Sequence, residues 1–146
     1  MKWAMEFFDV LVRYEVALWD AVDHVLRQEG LISLAQLHAL RLIERYDGQA
    51  RVQDLSRDIG ITVGAASKLA DRLERDGLAV RSPNPDNRRS SLIALTSRGR
   101  QAFTTAHETA LAAVERAVGD EDVQPLVAAL GRLQARLDDH AVVGTV

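Results

Sequence analysis

The sequence predicts a mainly α chain of the α+β class, in which one short hairpin interrupts a series of helices. Three observations carry this. Apolar residues recur at i, i+3, i+4 and i+7 over most of the 146 residues. Ser, Thr or Gly stands where the periodic runs start and stop. Only between about Leu78 and Leu95 does the pattern shorten to that of strands.

The first helix runs from about Trp3 to Glu29, with Phe7, Leu11, Tyr14, Leu18, Val22 and Val25 on one stripe. Trp3, Phe8, Val12, Trp19 and Leu26 widen that stripe beyond one packing face, so the helix is expected to pack on two sides. Gly30 ends it. Ser33 caps a second helix, LAQLHALRLIERY, which closes near Asp47-Gly48. VQDLSRDIG makes a third, short helix with Leu55 and Ile59 inward and Gly60 as its stop. Thr62 then caps VGAASKLADRLERDG, which Gly77 terminates.

LAVRS and SSLIALT read as strands, joined by SPNPDNRRS. In that loop proline presets a turn dihedral and asparagine tolerates the left-handed region. Thr96 caps a long helix, SRGRQAFTTAHETALAAVERAVG. DEDVQPLVAALGRLQARLDD supplies the last, with acidic residues expected in its first turn. Gly99 and Gly131 fall inside these two helices, where glycine is unfavourable.

Composition limits the function classes. Almost half of the residues are apolar and about a quarter are charged, which is the balance of a folded globular chain. The absence of cysteine excludes disulfides, thiolate metal sites and thiol redox sensing. Glu6, Asp9, Arg13 and Glu15 break the N-terminal apolar run, against both a signal-peptide core and a membrane span, so a cytoplasmic protein is expected. No phosphate-binding glycine loop, nucleophile elbow or linked Ser/His/Asp arrangement occurs, and neither an enzyme nor a cofactor is expected.

The net charge of −3 hides an asymmetry. Residues 51–100 hold ten basic and six acidic residues, whereas the remainder holds eight basic and fifteen acidic. A basic middle between acidic ends points to a polyanion meeting one segment, the alternative being uneven solvation charge. The turn at Gly60-Ile61-Thr62 joins two helices into a helix-turn-helix. On the second, over about 62–76, Ala66, Leu69, Ala70 and Leu73 face the core. Gly64, Ser67, Lys68, Asp71, Arg72 and Arg75 lie opposite, small at the N-terminal end and basic further on, as a helix in a major groove requires. An ordinary amphipathic helix has the same pattern. The loop of about 82–91 adds Arg88 and Arg89, placed to enter a narrow minor groove, unless they simply stand in water.

LSRDIGITVGAASKLADRLERDGLAVRSPNPDNRRSSLIALTSRG resembles the MarR family of winged helix-turn-helix regulators. The matching features are the helix-turn-helix, Asp71-Arg72-Leu73-Glu74 running to Gly77-Leu78, the wing, and Leu95-Thr96-x-x-Gly99. Family wings commonly carry Asp-x-Arg; here Arg89 keeps the arginine spacing, but Asn87 occupies the aspartate position and Asp86 lies one residue earlier. The resemblance implies a homodimer built from helices in 1–32 and 97–146, with 33–96 as the DNA-binding lobe. It implies a double-stranded, pseudo-palindromic operator as partner and repression as the usual outcome. On the face reading above, the DNA contacts are expected on Thr62, Val63, Gly64, Ser67, Lys68, Arg72, Arg88 and Arg89. It also implies release by a small aromatic or anionic ligand, for which Trp19, Asp23, His24, Arg27, His38 and Arg41 are candidates, with Arg45 beside them. A zinc-responsive regulator using Asp20, His24, His38 and His107 is the alternative, and a protein-interaction module that does not bind DNA is a second.

Overall fold

A computed structural model describes residues 1–143. In chain order the elements are α1 (Lys2–Gln28), α2 (Leu34–Arg45), α3 (Val52–Ile59), α4 (Val63–Arg75), β1 (Ala79–Pro83), β2 (Ser91–Leu95), α5 (Ser97–Val118) and α6 (Gln124–Val143). The fold is mainly helical with one two-stranded antiparallel sheet, the class the sequence predicts. Two compact units divide it, Met1–Val114 and the chain from Glu115 onward. Of the segment 97–146, residues 144–146 lie outside the described residues.

Local chemistry sets the helix starts. The Ser33 hydroxyl accepts from Gln36 N, and Gln36 Oε1 accepts from Ser33 N, both at 3.2 Å, a reciprocal capping box. Asp54 reaches back in the same way, its Oδ2 accepting from Arg51 N at 2.9 Å. Burial alone would raise the Asp54 carboxyl pKa. Hydrogen bonds from the Arg51 side chain and backbone, with the charges of Arg51 and Arg57, outweigh it and hold the group below its ordinary range. Tyr46 extends this cluster, donating to Asp58 Oδ2 at 2.6 Å and accepting from Arg57 Nη2 at 2.8 Å, so α2 and α3 are tied at their exposed ends.

Within the first unit two apolar clusters form. One packs Leu40 and Ile43 of α2, Leu55 of α3, Ala66, Leu69, Ala70 and Leu73 of α4, and Ile93 and Leu95 of β2. The other joins Val22 and Leu26 of α1 to Leu37 of α2 and to Ala106, Ala110 and Ala113 of α5. Alanines on α5 leave room for α1 to lie close. Asp23, buried on α1, accepts from Leu34 N at 2.9 Å and so satisfies an orphan donor at the start of α2. Packing therefore involves only the C-terminal half of α1. Ten large apolar side chains from Trp3 to Trp19 remain exposed.

β1 pairs with β2 in a register that sets Ala79 opposite Leu95 and Pro83 opposite Ser91. Ile93 N also donates to Ala50 O at 2.7 Å, docking the sheet onto the α2–α3 connection. At the base of the hairpin Thr96 makes three bonds. Its N–H donates to Leu78 O at 3.1 Å, its hydroxyl donates to Gly77 O at 2.6 Å, and the same oxygen accepts from Gly99 N at 3.0 Å. A Cβ on Gly99 would collide with the Leu78 carbonyl, so the glycine that looks unfavourable in a helix is what lets α5 approach the strand.

Two expectations are corrected. Asp120, Glu121 and Asp122 are not in the first turn of the last helix but precede it, and α6 begins at Gln124. An earlier start would put Pro125 in the helix interior, where it has no N–H to donate and clashes with the preceding turn. The wing asparagines do not use the left-handed region; Asp47 is the non-glycine residue with positive φ among the described residues. They work through side-chain hydrogen bonds, described below.

Gly99→Ala should destabilise the protein by about 3 kcal/mol or more, because the clash is with backbone. A urea midpoint lowered accordingly checks it, and an unchanged midpoint would show that α5 is free to move away.

Candidate nucleic-acid interface

The helix-turn-helix is closed by its own turn. Gly60 adopts φ +76° and its N–H donates to Ser56 O at 3.0 Å, while the Ser56 hydroxyl donates to Ile61 O at 2.7 Å. Thr62 starts α4 directly afterwards, its hydroxyl accepting from Ala65 N at 3.1 Å. Ala66, Leu69, Ala70 and Leu73 are all buried, as the face reading predicts. Thr62, Val63, Gly64, Lys68, Asp71, Arg72 and Arg75 are exposed, and Ser67 is partly so. Lys68 and Arg72 form no ion pair among the described residues.

The wing is shaped by two asparagines. Asn84 is buried; its Oδ1 accepts from Asp86 N at 3.0 Å and its Nδ2 donates to Ser90 Oγ at 2.9 Å, closing the loop across its neck. Asn87 Oδ1 accepts from Arg89 N at 3.0 Å. Asn87 thus orients the backbone of Arg89 rather than its guanidinium. Arg88 and Arg89 are exposed and have no carboxylate partner among the described residues, so both charges stay available.

Sequence reasoning missed Arg81. From β1 its Nη2 donates to Asp71 Oδ1 at 2.7 Å and to Ser67 O at 3.2 Å, both on α4. Its backbone N–H donates to Glu74 Oε2 at 3.0 Å. Three bonds therefore fasten the base of the wing to the exposed side of α4, and they neutralise the one carboxylate lying between Ser67 and Arg72. The spacing of Asp71 and Arg81 gives no local signal, since the contact exists only once the chain reverses at Gly77.

Other candidates scatter. Asp23 ion-pairs with Arg27 within α1 while also accepting from Leu34 N, so it is Asp23 that holds α1 to α2. Trp19 meets His38 edge-on with centroids 6.4 Å apart. Burial, then the charges of Arg41 and Arg45, lower the His38 pKa, which leaves the imidazole neutral at pH 7. A shallow cavity of about 280 Å³ beside Trp19 is lined by Glu15, Val16 and Asp20. His24 and Arg41 are exposed, and His107 stacks on Phe103 at 5.3 Å. Asp20, His24, His38 and His107 are not gathered: among the described residues no three His or carboxylate groups are placed to hold a metal. Nor is any described helix long and apolar enough to cross a membrane.

Residues 32–91 match the family model described as the MarR family. YfiV, an HTH-type transcriptional regulator of Bacillus subtilis, is 27% identical to this chain, the similarity covering 68% of each. A mutant MarR from E. coli, solved in complex with operator DNA, is similar in structure at a TM-score of 0.77 and 21% identity, over 92% of this chain and 94% of that one. CouR from Rhodococcus jostii, solved bound to p-coumaroyl-CoA, is similar at a TM-score of 0.76 and 25% identity, over 86% and 87%.

If Arg81 holds the wing to α4 and offsets Asp71, Arg81→Gln should weaken duplex binding about tenfold, the worth of one charge-assisted hydrogen bond. Adding Asp71→Asn should recover part of that loss in a titration by fluorescence anisotropy. No recovery would mean that the Asp71 charge is not what Arg81 offsets.

Proposed function

We propose that this chain, whose residues 32–91 match the MarR family, is a transcriptional regulator that acts in the cytoplasm as a homodimeric, operator-binding repressor. One observation carries the DNA-binding part. The unpaired cations Lys68 and Arg72 on α4, and Arg88 and Arg89 on the wing, sit on two elements that Arg81 fastens together. In a chain of net charge −3, that concentration makes one face attractive to phosphate while the rest repels it. Thr62, Val63, Gly64, Ser67, Lys68 and Arg72 enter the major groove, and the wing arginines reach the adjacent minor groove.

Dimerisation supplies the second half of the reader. The exposed apolar side chains of α1, from Trp3 to Trp19, and Leu126, Val127, Leu133 and Leu137 of α6 exceed what a soluble monomer leaves in water. Residues 1–32 and 97–146 accordingly form the dimerisation region, with 33–96 as the DNA-binding lobe. Two-fold protein symmetry then calls for a pseudo-palindromic site.

The effector is a small aromatic anion whose ring lies on Trp19 and whose carboxylate meets Arg41 and the neutral His38. The edge contact of Trp19 with His38 and the exposed Arg41, which has no ion-pair partner among the described residues, support this, and a protein of similar structure solved with p-coumaroyl-CoA is in keeping with the ligand class. Arg27 is withdrawn from that set by Asp23. Glu15 and Asp20 make the cavity beside Trp19 unfavourable for an anion.

Light scattering at micromolar concentration should give twice the chain mass, and a monomer would remove the two-fold reading. Lys68→Ala and Arg89→Ala should each weaken operator binding and flatten its salt dependence by about one unit of slope. An unchanged slope for Arg89→Ala would take the wing off the DNA. In calorimetry, aromatic acids should bind the wild type and lose most of their affinity in Arg41→Ala; retained affinity would move the effector site elsewhere.

A further inference from the structure

We propose that Val63 reads the C5-methyl group of a thymine, so that the first operator position met by α4 is specified by an apolar contact rather than by hydrogen bonding. This rests on the DNA-binding reading above and adds the chemistry of one base.

Val63 is the first residue of α4 and is 56% exposed. Nothing in the fold asks for it there. A β-branched side chain is a poor helix former, and the first turn of a helix favours carboxylates, yet α4 has no acidic residue in its first turn. An exposed isopropyl group therefore stands where capping chemistry would place Glu or Asp. The absence of a carboxylate also suits a surface that approaches phosphate.

The neighbours remove the hydrogen-bonding alternative. Gly64 and Ala65 are exposed and carry no polar side-chain atom. A Cβ on Gly64 would meet nothing nearer than Thr62 Oγ1 at 4.0 Å, so the missing side chain leaves space outside the fold, not within it. The Thr62 hydroxyl is held at the helix start by accepting from Ala65 N. Past the capping Thr62, side chains able to bond a base edge resume only at Ser67 and Lys68, a full turn further on. The leading turn thus presents an apolar group beside an open notch. Among the unmodified bases, thymine alone offers an apolar group in the major groove, its C5-methyl. Burying one methyl-sized group changes affinity by about fourfold.

The test uses the full-length protein and a duplex selected by it from a random pool. Each thymine of the selected half-site is replaced in turn by uracil, which removes the methyl and keeps the base pairing. For the wild type, one position per half-site should lose about three- to fivefold in affinity. Val63→Ala should be insensitive at that position while keeping its response to every other change, with a urea midpoint close to that of the wild type. If no uracil substitution distinguishes wild type from Val63→Ala, the methyl-reading proposal is overturned and DNA binding stands. If no duplex is bound at all, both readings fall.

Discussion

Thr96 is the joint on which the geometry depends. Its hydroxyl and N–H hold both ends of the hairpin base, Gly77-Leu78 and the start of α5, within hydrogen-bonding distance of one another. The close approach is possible because Gly99 has no Cβ to strike Leu78 O. From that point the strands run outward in fixed register, Ile93 docks on Ala50, and the core side of β2 fills the cluster beneath α4. The position of Arg88 and Arg89 relative to Lys68 and Arg72 is thus set at a site some distance from all four.

Arg81 completes what Thr96 begins. Thr96 anchors the base of the hairpin, and Arg81 clamps its first strand to Ser67 and Asp71. The clamp is both mechanical and electrostatic. It ties the wing to α4, and it pairs the Asp71 carboxylate. Asn87 acts in the same sense. An aspartate there could hold the Arg89 guanidinium; the asparagine bonds only the Arg89 backbone and leaves the charge outward. Acidic residues elsewhere keep the overall charge negative, so attraction to nucleic acid is confined to the face that can use it.

Much of this was legible in the sequence, for physical reasons. Ser33, Thr62 and Thr96 announce their helices because capping is a contact between near neighbours. Ala66, Leu69, Ala70 and Leu73 could be set facing inward because their spacing alone fixes their side of α4. Contacts that depend on the chain turning back were not legible. Asp71 with Arg81 is one, and Gly99 against Leu78 is another, so that Gly99 looked like a flaw in a helix. The wing asparagines were legible as turn formers, but the choice between a left-handed backbone and an Asx hydrogen bond rests on geometry that the residue type leaves open. Asp23 and Arg27 stood at i, i+4 and could have been paired at once. The pocket reading passed over that simpler use.

If α4 and the wing meet a duplex as one unit, each copy of a dimer should leave the same mark on it. Footprinting a selected duplex with hydroxyl radicals and with a guanine-N7 methylating reagent tests it most directly. Guanine N7 should be protected in a major-groove segment, flanked on one side by protected minor-groove sugars. The same pattern should recur with two-fold symmetry about one or two helical turns away. Uniform protection along the backbone that fades with salt, with no groove-specific pattern, would contradict it.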